Sequence, residues 1–383
     1  MRIFNLICFL LITQFSIGQA ILDYATIDMK VAEIPPNQAK TTSGIAKFIT
    51  SNFKTDNEKI RAIFYWTASN ISYDVPNMNQ PNNLDSAKEK IASALKTQKG
   101  VCIHYAEIFN EIANKVGIKS FIIFGYTKQF EVIAPISHAW NAAKIDGKWF
   151  LFDATWGAGF VEGKKFTKKL NNSFFMPEPS KMILSHMPFD YLWQFLNSTV
   201  TNEEFINGKG DTTKPQEKFD FIIAIDKYEK LTDEAKAFEA AARIEKNGIL
   251  NTLIQDSYNL KKREFTVVTQ NKSIEKLIEI TARFNVAISD LNDFILFRNK
   301  QFKPTQSDEI VKSMLQNVTD KMIKCNNDVY NVGSVSPENT ENLNSLKRSI
   351  LQGIEKTKEQ ENFLNDYLKK DSLGRKMMFT ISR

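Results

Sequence analysis

The stretch KTQKGVCIHYAE, residues 96–107, puts a cysteine and a histidine two residues apart in a 383-residue chain with only three of each. Cys102 follows a glycine and opens an apolar-periodic segment, so it reads as the first residue of a helix. There the helix dipole and the unpaired N–H groups of the first turn stabilise a thiolate, the form a cysteine nucleophile needs. Taken alone, such a cysteine is more often a small buried hydrophobe. The segment SHAWNAAKIDGKWFLFDATW, residues 137–156, shifts that balance. Asp146-Gly147 between two strand-like runs predicts a two-residue hairpin turn. With Ile145 opposite Lys148, Trp140 faces Asp153 and His138 faces Thr155. His138 and Trp140 share a face by strand alternation. Asp153 then lies diagonal to His138, roughly 7–8 Å away by backbone and within side-chain reach. A bulge near Thr155 would break this register. A thiol nucleophile needs a base, and the base needs a third group to hold its tautomer. Cys102, His138 and Asp153 supply the three roles. Each also has a bland reading: a buried thiol, a satisfied core imidazole, a strand-end turn residue.

Other chemistries fit less well. Cys102 and His104 sit two apart on a helix and point to different sides. No CxxC or HxxxH spacing occurs, and four zinc ligands would use nearly every Cys and His available. His104 and His186 read as structural or surface residues. Neither a phosphate loop nor a dinucleotide fingerprint is present. No metal and no cofactor are therefore expected. A disulfide between Cys102 and Cys325 is a minor alternative for an exported chain.

Several elements must position these residues. Thr55-Asp56-Asn57-Glu58 is a capping box that opens a helix running to about Ile71, with Ile60, Ile63, Phe64, Thr67 and Ile71 as its buried stripe. Shorter helices are predicted over 42–53 and 86–95. Residues 21–41, with Pro35 and Pro36, are expected to be irregular, and 75–84 a loop. The helix that begins at Cys102 carries Ala106, Phe109, Ile112, Ala113 and Val116 on one face and ends at Gly117, a left-handed cap. A buried strand follows over 118–126. Past Phe166 the chain is loop-rich. Polar residues 197–218 mark a domain boundary, and the remainder is helical. Ile274, Leu277, Thr281, Phe284, Ile288, Leu291, Ile295, Arg298 and Phe302 form a heptad seam. Further helices are predicted over 307–325 and 338–370, giving an antiparallel bundle or coiled-coil-like hairpin that carries no constellation of chemistry.

Composition narrows the class. The chain is 43% apolar and 25% charged, with 29 phenylalanines, as in a soluble globular protein. The net charge of +6 comes from 50 basic and 44 acidic residues without a long basic run, so nucleic-acid binding has little support. MRIFNLICFLLITQFSIGQA has a basic n-region at Arg2, a short apolar core and small residues at Ser16, Gly18 and Ala20. It reads as a secretory signal peptide over 1–20, leaving a secreted or periplasmic protein with no transmembrane segment.

Four blocks in order resemble the transglutaminase-like cysteine enzyme superfamily, with its papain-related fold, in its kyphoscoliosis-peptidase and cytokinesis-protein type branch. KIRAIFYWTASNISYD (59–74) is similar to the family's first helix. KGVCIHYAEIFNEIANKVGI (99–118) is similar to the nucleophile helix, and SHAWNAAKIDGKWFLFDATW to the His and Asp strands. FFMPEPSKMILSHMPFDYLWQFL (174–196) resembles the block that follows in this branch. The resemblance covers roughly 21–205. It implies an α+β core with the nucleophile helix packed on an antiparallel sheet, then a linker over 206–218 and a helical C-terminal domain over 219–383. It implies Cys102 as nucleophile, His138 as general base and acid, and Asp153 as the group that orients His138. Trp66 is the implied oxyanion donor and equally a helix core residue; the Cys102 backbone N–H is a second donor. Ile103 stands where animal transglutaminases typically have Trp, which argues against classical glutamine crosslinking. The expected activity is thioester chemistry on peptide or carboxamide bonds of a protein or peptide substrate, with hydrolysis preferred to amine transfer. The alternative is a non-catalytic scaffold whose helical half binds a partner protein.

Overall fold

The computed structural model describes residues 24–79, 85–208 and 218–380. The expected signal peptide, most of the expected linker and the end of the 75–84 loop lie outside the described residues. The chain forms two compact units. The first runs to Lys227 and includes Arg243–Ser257; the second comprises Tyr228–Ala242 and Tyr258–Arg383.

The first unit opens with α1 (Tyr24–Ala32), where the sequence led us to expect irregular chain. The prolines stop this helix at its end rather than preventing it. Ile27 and Val31, one turn apart, are buried. The fully buried guanidinium of Arg61 ties α1 down through Asp28, with Nε–Oδ1 at 2.8 Å and Nη2–Oδ2 at 2.5 Å, and also donates to Asn172 Oδ1 at 2.8 Å. A buried arginine is tolerated only when paired in this bidentate way. α2 (Thr42–Asn52) and α3 (Asp56–Asn70) follow, and α3 begins at the expected Thr55–Glu58 capping box. Tyr73 of β1 (Ser72–Tyr73) is registered with Gly100 of β2 (Lys99–Gly100), on either side of α4 (Ala87–Thr97). α5 (Cys102–Lys115) then starts. Ala106, Phe109, Ile112 and Ala113 are buried, and the last three join Ile60, Ile63 and Phe64 of α3 in one apolar core. Gly117 closes α5 at φ +87°, as the cap requires.

A four-stranded antiparallel sheet packs on α5. It contains β3 (Ser120–Gln129), β4 (Val132–Ile145), β5 (Lys148–Phe152) and β8 (His186–Pro188), in the order β5-β4-β3-β8. Asp146 and Gly147 both take positive φ in the β4–β5 turn, which sets Ile145 opposite Lys148 as expected. The ladder ends at Asn141–Phe152. Trp140 therefore does not face Asp153, nor His138 Thr155. Asp153 instead leaves the sheet as the N-cap of α6 (Ala154–Ala158). The hairpin β6 (Gly159–Glu162) and β7 (Lys165–Lys168) follows, then α7 (Pro179–Met182), before β8. α8 (Asn202–Asn207) is held within this unit by Asn202, whose Nδ2 donates to the Gly248 carbonyl at 2.6 Å.

The helical region comprises α9 (Phe221–Lys230), α10 (Asp233–Lys246), α11 (Thr252–Asn299), α12 (Asp308–Val329), α13 (Pro337–Leu368) and α14 (Ser372–Met377). Ion pairs Arg283–Asp328 and Asp290–Lys321 run α11 and α12 in opposite directions. The Thr319–Glu361 bond and the approach of Met322 to Gly353 reverse α13 in turn. The expected seam is present but wider. Leu277, Phe284 and Leu291 are joined by Ile280, Ala287 and Phe294, while Ile288 and Ile295 are only partly buried. A helix packed against two neighbours needs a broader stripe than a two-stranded coil.

Candidate active site

Cys102 is the first residue of α5, after Val101 in extended conformation at the N-cap. The neighbouring histidine, His104, bends back so that its Nδ1 accepts from the Val101 backbone N–H at 3.2 Å. It satisfies a donor at the helix start, as the glutamate of a capping box does. Gly100 gives it room, since a Cβ there would lie 2.6 Å from the His104 Cβ. Burial holds the His104 imidazole below its ordinary proton affinity, and an accepting Nδ1 is the neutral form. Cys102 is partly exposed, Cys325 is buried, and both are free thiols. The disulfide alternative is thereby corrected.

His138 lies on β4 opposite Gly125 of β3. Its Nε2 meets Asp153 Oδ2 at 2.7 Å, and the Cys102 side chain lies near enough to act on its charge. With Nε2 taken by the carboxylate, Nδ1 is the nitrogen left over. His138 and Asp153 thus meet from a strand and a helix cap, with Cys102 nearby at a helix start. Trp66 is 4% exposed and belongs to the apolar core around α3.

Asp153 is fully buried, and both its oxygens are used. Oδ1 accepts from the backbone N–H groups of Thr155 and Trp156 at 2.8 and 3.0 Å, capping α6. Oδ2 accepts from His138 and, at 3.0 Å, from His186 Nε2. Burial alone would push this carboxyl up. The His138 charge and the hydrogen bonds from both imidazoles outweigh it and hold the carboxyl well below the usual range. For His138 the balance is the mirror image. Burial pulls it down, but the Asp153 charge, the Asp153 hydrogen bond and Cys102 raise it, to about 10.

Two residues of the site were not picked out from the sequence. His186, expected to be structural or on the surface, is 1% exposed and touches Asp153 directly. It arrives on a three-residue edge strand, too short to show a period. Tyr73 is the second. Its burial, then the charges of Cys102 and Asp153, push its phenol up. It lines a cleft of about 420 Å³ beside His138, with Trp156, Phe160, Val161, Phe166 and Phe174. The β6–β7 hairpin supplies one wall. The cleft's only signal in the sequence was aromatic density.

His138, Asp153 and His186 are close enough together to be considered as cation ligands. Their geometry favours another reading, because both imidazole nitrogens converge on one carboxylate oxygen at hydrogen-bond distance. A metal would take the lone pairs of all three groups at a point between them.

These features define a transglutaminase-like domain, and comparison with known proteins agrees. The family model described as the transglutaminase-like superfamily matches residues 43–154. Kyphoscoliosis peptidase of Homo sapiens is 31% identical over 46% of this chain and 28% of its own length. Hillarin of Drosophila melanogaster is 22% identical over 51% of this chain and 26% of its own. The chain therefore spans between a quarter and a third of the length of these relatives. A solved structure of a TGase is 17% identical, with a TM-score of 0.24 over 41% of this chain and 37% of that one.

Proposed function

We propose that the protein is a thiol acyl-transfer enzyme acting on peptide or carboxamide bonds of proteins. The observation that carries this reading is the 2.7 Å contact of His138, in the wall of a cleft, with a buried, four-bonded Asp153, with Cys102 near His138 at the start of α5. The Cys102 sulfur attacks the carbonyl carbon. The C–N bond breaks, and the proton held by His138 passes to the leaving nitrogen, so ammonia or an amine departs and a thioester remains. His138 then takes a proton from water, which attacks the thioester and releases the acid and the thiol. We favour water over an amine as acceptor, since Ile103 replaces the tryptophan typical of crosslinking relatives. The chain's N-terminal sequence further favours export, which puts extracellular or envelope protein within its reach. Among the described residues no helix is long and apolar enough to cross a membrane.

Alkylation by iodoacetamide from pH 5 to pH 9 tests the nucleophile. Fast labelling of Cys102 at pH 6, lost in His138→Ala, is the expected result. Labelling no faster than an ordinary thiol would overturn the enzyme reading in favour of a scaffold. Incubation with a glutamine-containing peptide and a fluorescent primary amine separates the acceptors. Ammonia or a new terminus without amine incorporation supports hydrolysis, and incorporation supports transfer. N-terminal sequencing of protein recovered outside the expressing cell tests export, with cleavage expected after Gly18 or Ala20.

A further inference from the structure

His186 is buried, polar and bonded to the proposed catalytic carboxylate, yet the thioester chemistry does not require it. From Nε2 of His186 on Asp153 Oδ2, Ser185 Oγ 2.8 Å from His186 Nδ1, and the cage of rings around both, we infer that His186 is a positioning residue, fixing the rotamer and ionised state of Asp153 and through it the His138–Cys102 pair. The inference rests on the reading of Cys102 as nucleophile.

The hydrogen bonds fix the tautomer. An ionised carboxylate only accepts, so His186 Nε2 must carry a proton. The Ser185 hydroxyl can give its hydrogen to His186 Nδ1 at 2.8 Å or to the Met182 carbonyl at 3.4 Å. The shorter contact is the stronger, and it leaves Nδ1 an acceptor and His186 neutral. Burial and the neighbouring His138 charge hold His186 below its ordinary proton affinity, in agreement. The titratable groups around it are Asp153 and His138 in direct reach, with Cys102, Tyr73 and Tyr105 beyond them, coupled to His138 or Asp153.

Packing locks the ring. Its centroid lies 4.4 Å from Trp156 and 5.3 Å from Trp140, and Phe174 and His138 are also in contact. Strand register supplies the reach. β3 stands between β4 and β8, with Gly125 opposite both His138 and Pro188. Gly125 has no Cβ because one would lie 2.5 Å from the Trp140 ring and 2.1 Å from the Met187 carbonyl. Across that gap Trp140 spans from His138 to His186. The carboxylate is thus clamped on four sides: two amides set Oδ1, and two imidazoles set Oδ2. Without His186 the Oδ2 atom has one partner, and the carboxyl is freer to turn and easier to protonate.

Two measurements test this on the full chain. Because the protein has only three histidines, their side-chain nitrogens can be resolved by 15N NMR in the unaltered protein. Between pH 5.5 and 8 we expect His186 to stay neutral with its proton on Nε2, and His138 to be doubly protonated. A charged His186, or its proton on Nδ1, would overturn the proposal. Tightly bound zinc at one equivalent in the purified protein would overturn it equally. The second measurement is the pH profile of Cys102 alkylation. His186→Ala should slow labelling at pH 6 about tenfold and move the alkaline loss of the His138 proton to lower pH. His186→Gln, whose amide can donate from nearly the Nε2 position, should restore most of both. A folded His186→Ala with the unaltered profile would refute the positioning role. Slow labelling in the unaltered protein would refute the enzyme reading instead, so the two failures are distinguishable.

Discussion

Among the described residues the two compact units each hold one cysteine, and they treat it in opposite ways. Cys102 stands partly exposed at a helix start, near a histidine whose charge is sustained by a buried carboxylate. Cys325 sits near the end of α12, 1% exposed, among Leu277, Val318, Met322 and Val329. Burial pushes its thiol up. The first unit spends polar groups in its interior: Arg61, His138, Asp153, His186 and Asp190 are all buried and all paired. The second places most of its ion pairs on the surface, Arg283–Asp328 and Arg375–Asp308 among them, and fills its core with aliphatic and aromatic side chains. Buried polar groups are costly unless every partner is supplied. They are retained in the unit that holds the proposed nucleophile and largely left out where packing suffices.

The strongest test of this contrast is chemical. At pH 6.5 an ordinary thiol is about 1% ionised, so alkylation of Cys102 held as a thiolate should exceed that of Cys325 by about a hundredfold or more, measured by peptide mapping of the native protein. Equal rates would erase the distinction. Next in size is Asp153→Ala, which strands two imidazoles and two backbone donors. We expect about 3–5 kcal/mol of destabilisation by urea unfolding, confined to the first unit, together with loss of fast labelling. The same site sets a pH dependence. The depressed carboxyl contributes stability that is lost as pH falls below the normal carboxylate range. The raised imidazole contributes stability that is full below about pH 6.5 and lost as pH climbs toward about 10. Unfolding of the first unit should therefore show its greatest stability from this pair between about pH 4 and 6.5. His138→Ala flattens that profile.

Ile350→Ala removes a fully buried side chain from the helical core. It should cost about 3 kcal/mol in the second unit and leave the Cys102 labelling rate unchanged. A change in labelling would show that the two units are coupled. Smallest is Thr55→Ala, which removes one side of a capping box on α3. About 1 kcal/mol is expected, measured as a shift in unfolding midpoint.

Legibility tracked how local each signal was. The capping box at Thr55, the Gly117 cap and the Asp146-Gly147 turn depend on a few consecutive residues, and each formed as expected. The helix α1 was hidden because its anchor is Arg61, more than thirty residues downstream. The β3–β4 turn was hidden too, since Phe130 and Glu131 take positive φ without the glycine or asparagine that would mark it. The hairpin register did hold, but only to Phe152. Asp153 reached His138 from a helix cap rather than from the strand, so the expected contact formed through a different backbone path.

By itself the sequence determined a cysteine at a helix start, a histidine and an aspartate flanking a short hairpin, and a helical second half, because capping, turn chemistry and periodicity act over a few residues. Tertiary structure alone decided that Asp153 would be shared by two histidines, that Trp66 would pack in the core, and that Cys325 would be shielded. Those outcomes depend on which side chains meet across elements distant in sequence. In a buried site the free energy lies in whether every polar partner is supplied, and no single segment carries that information.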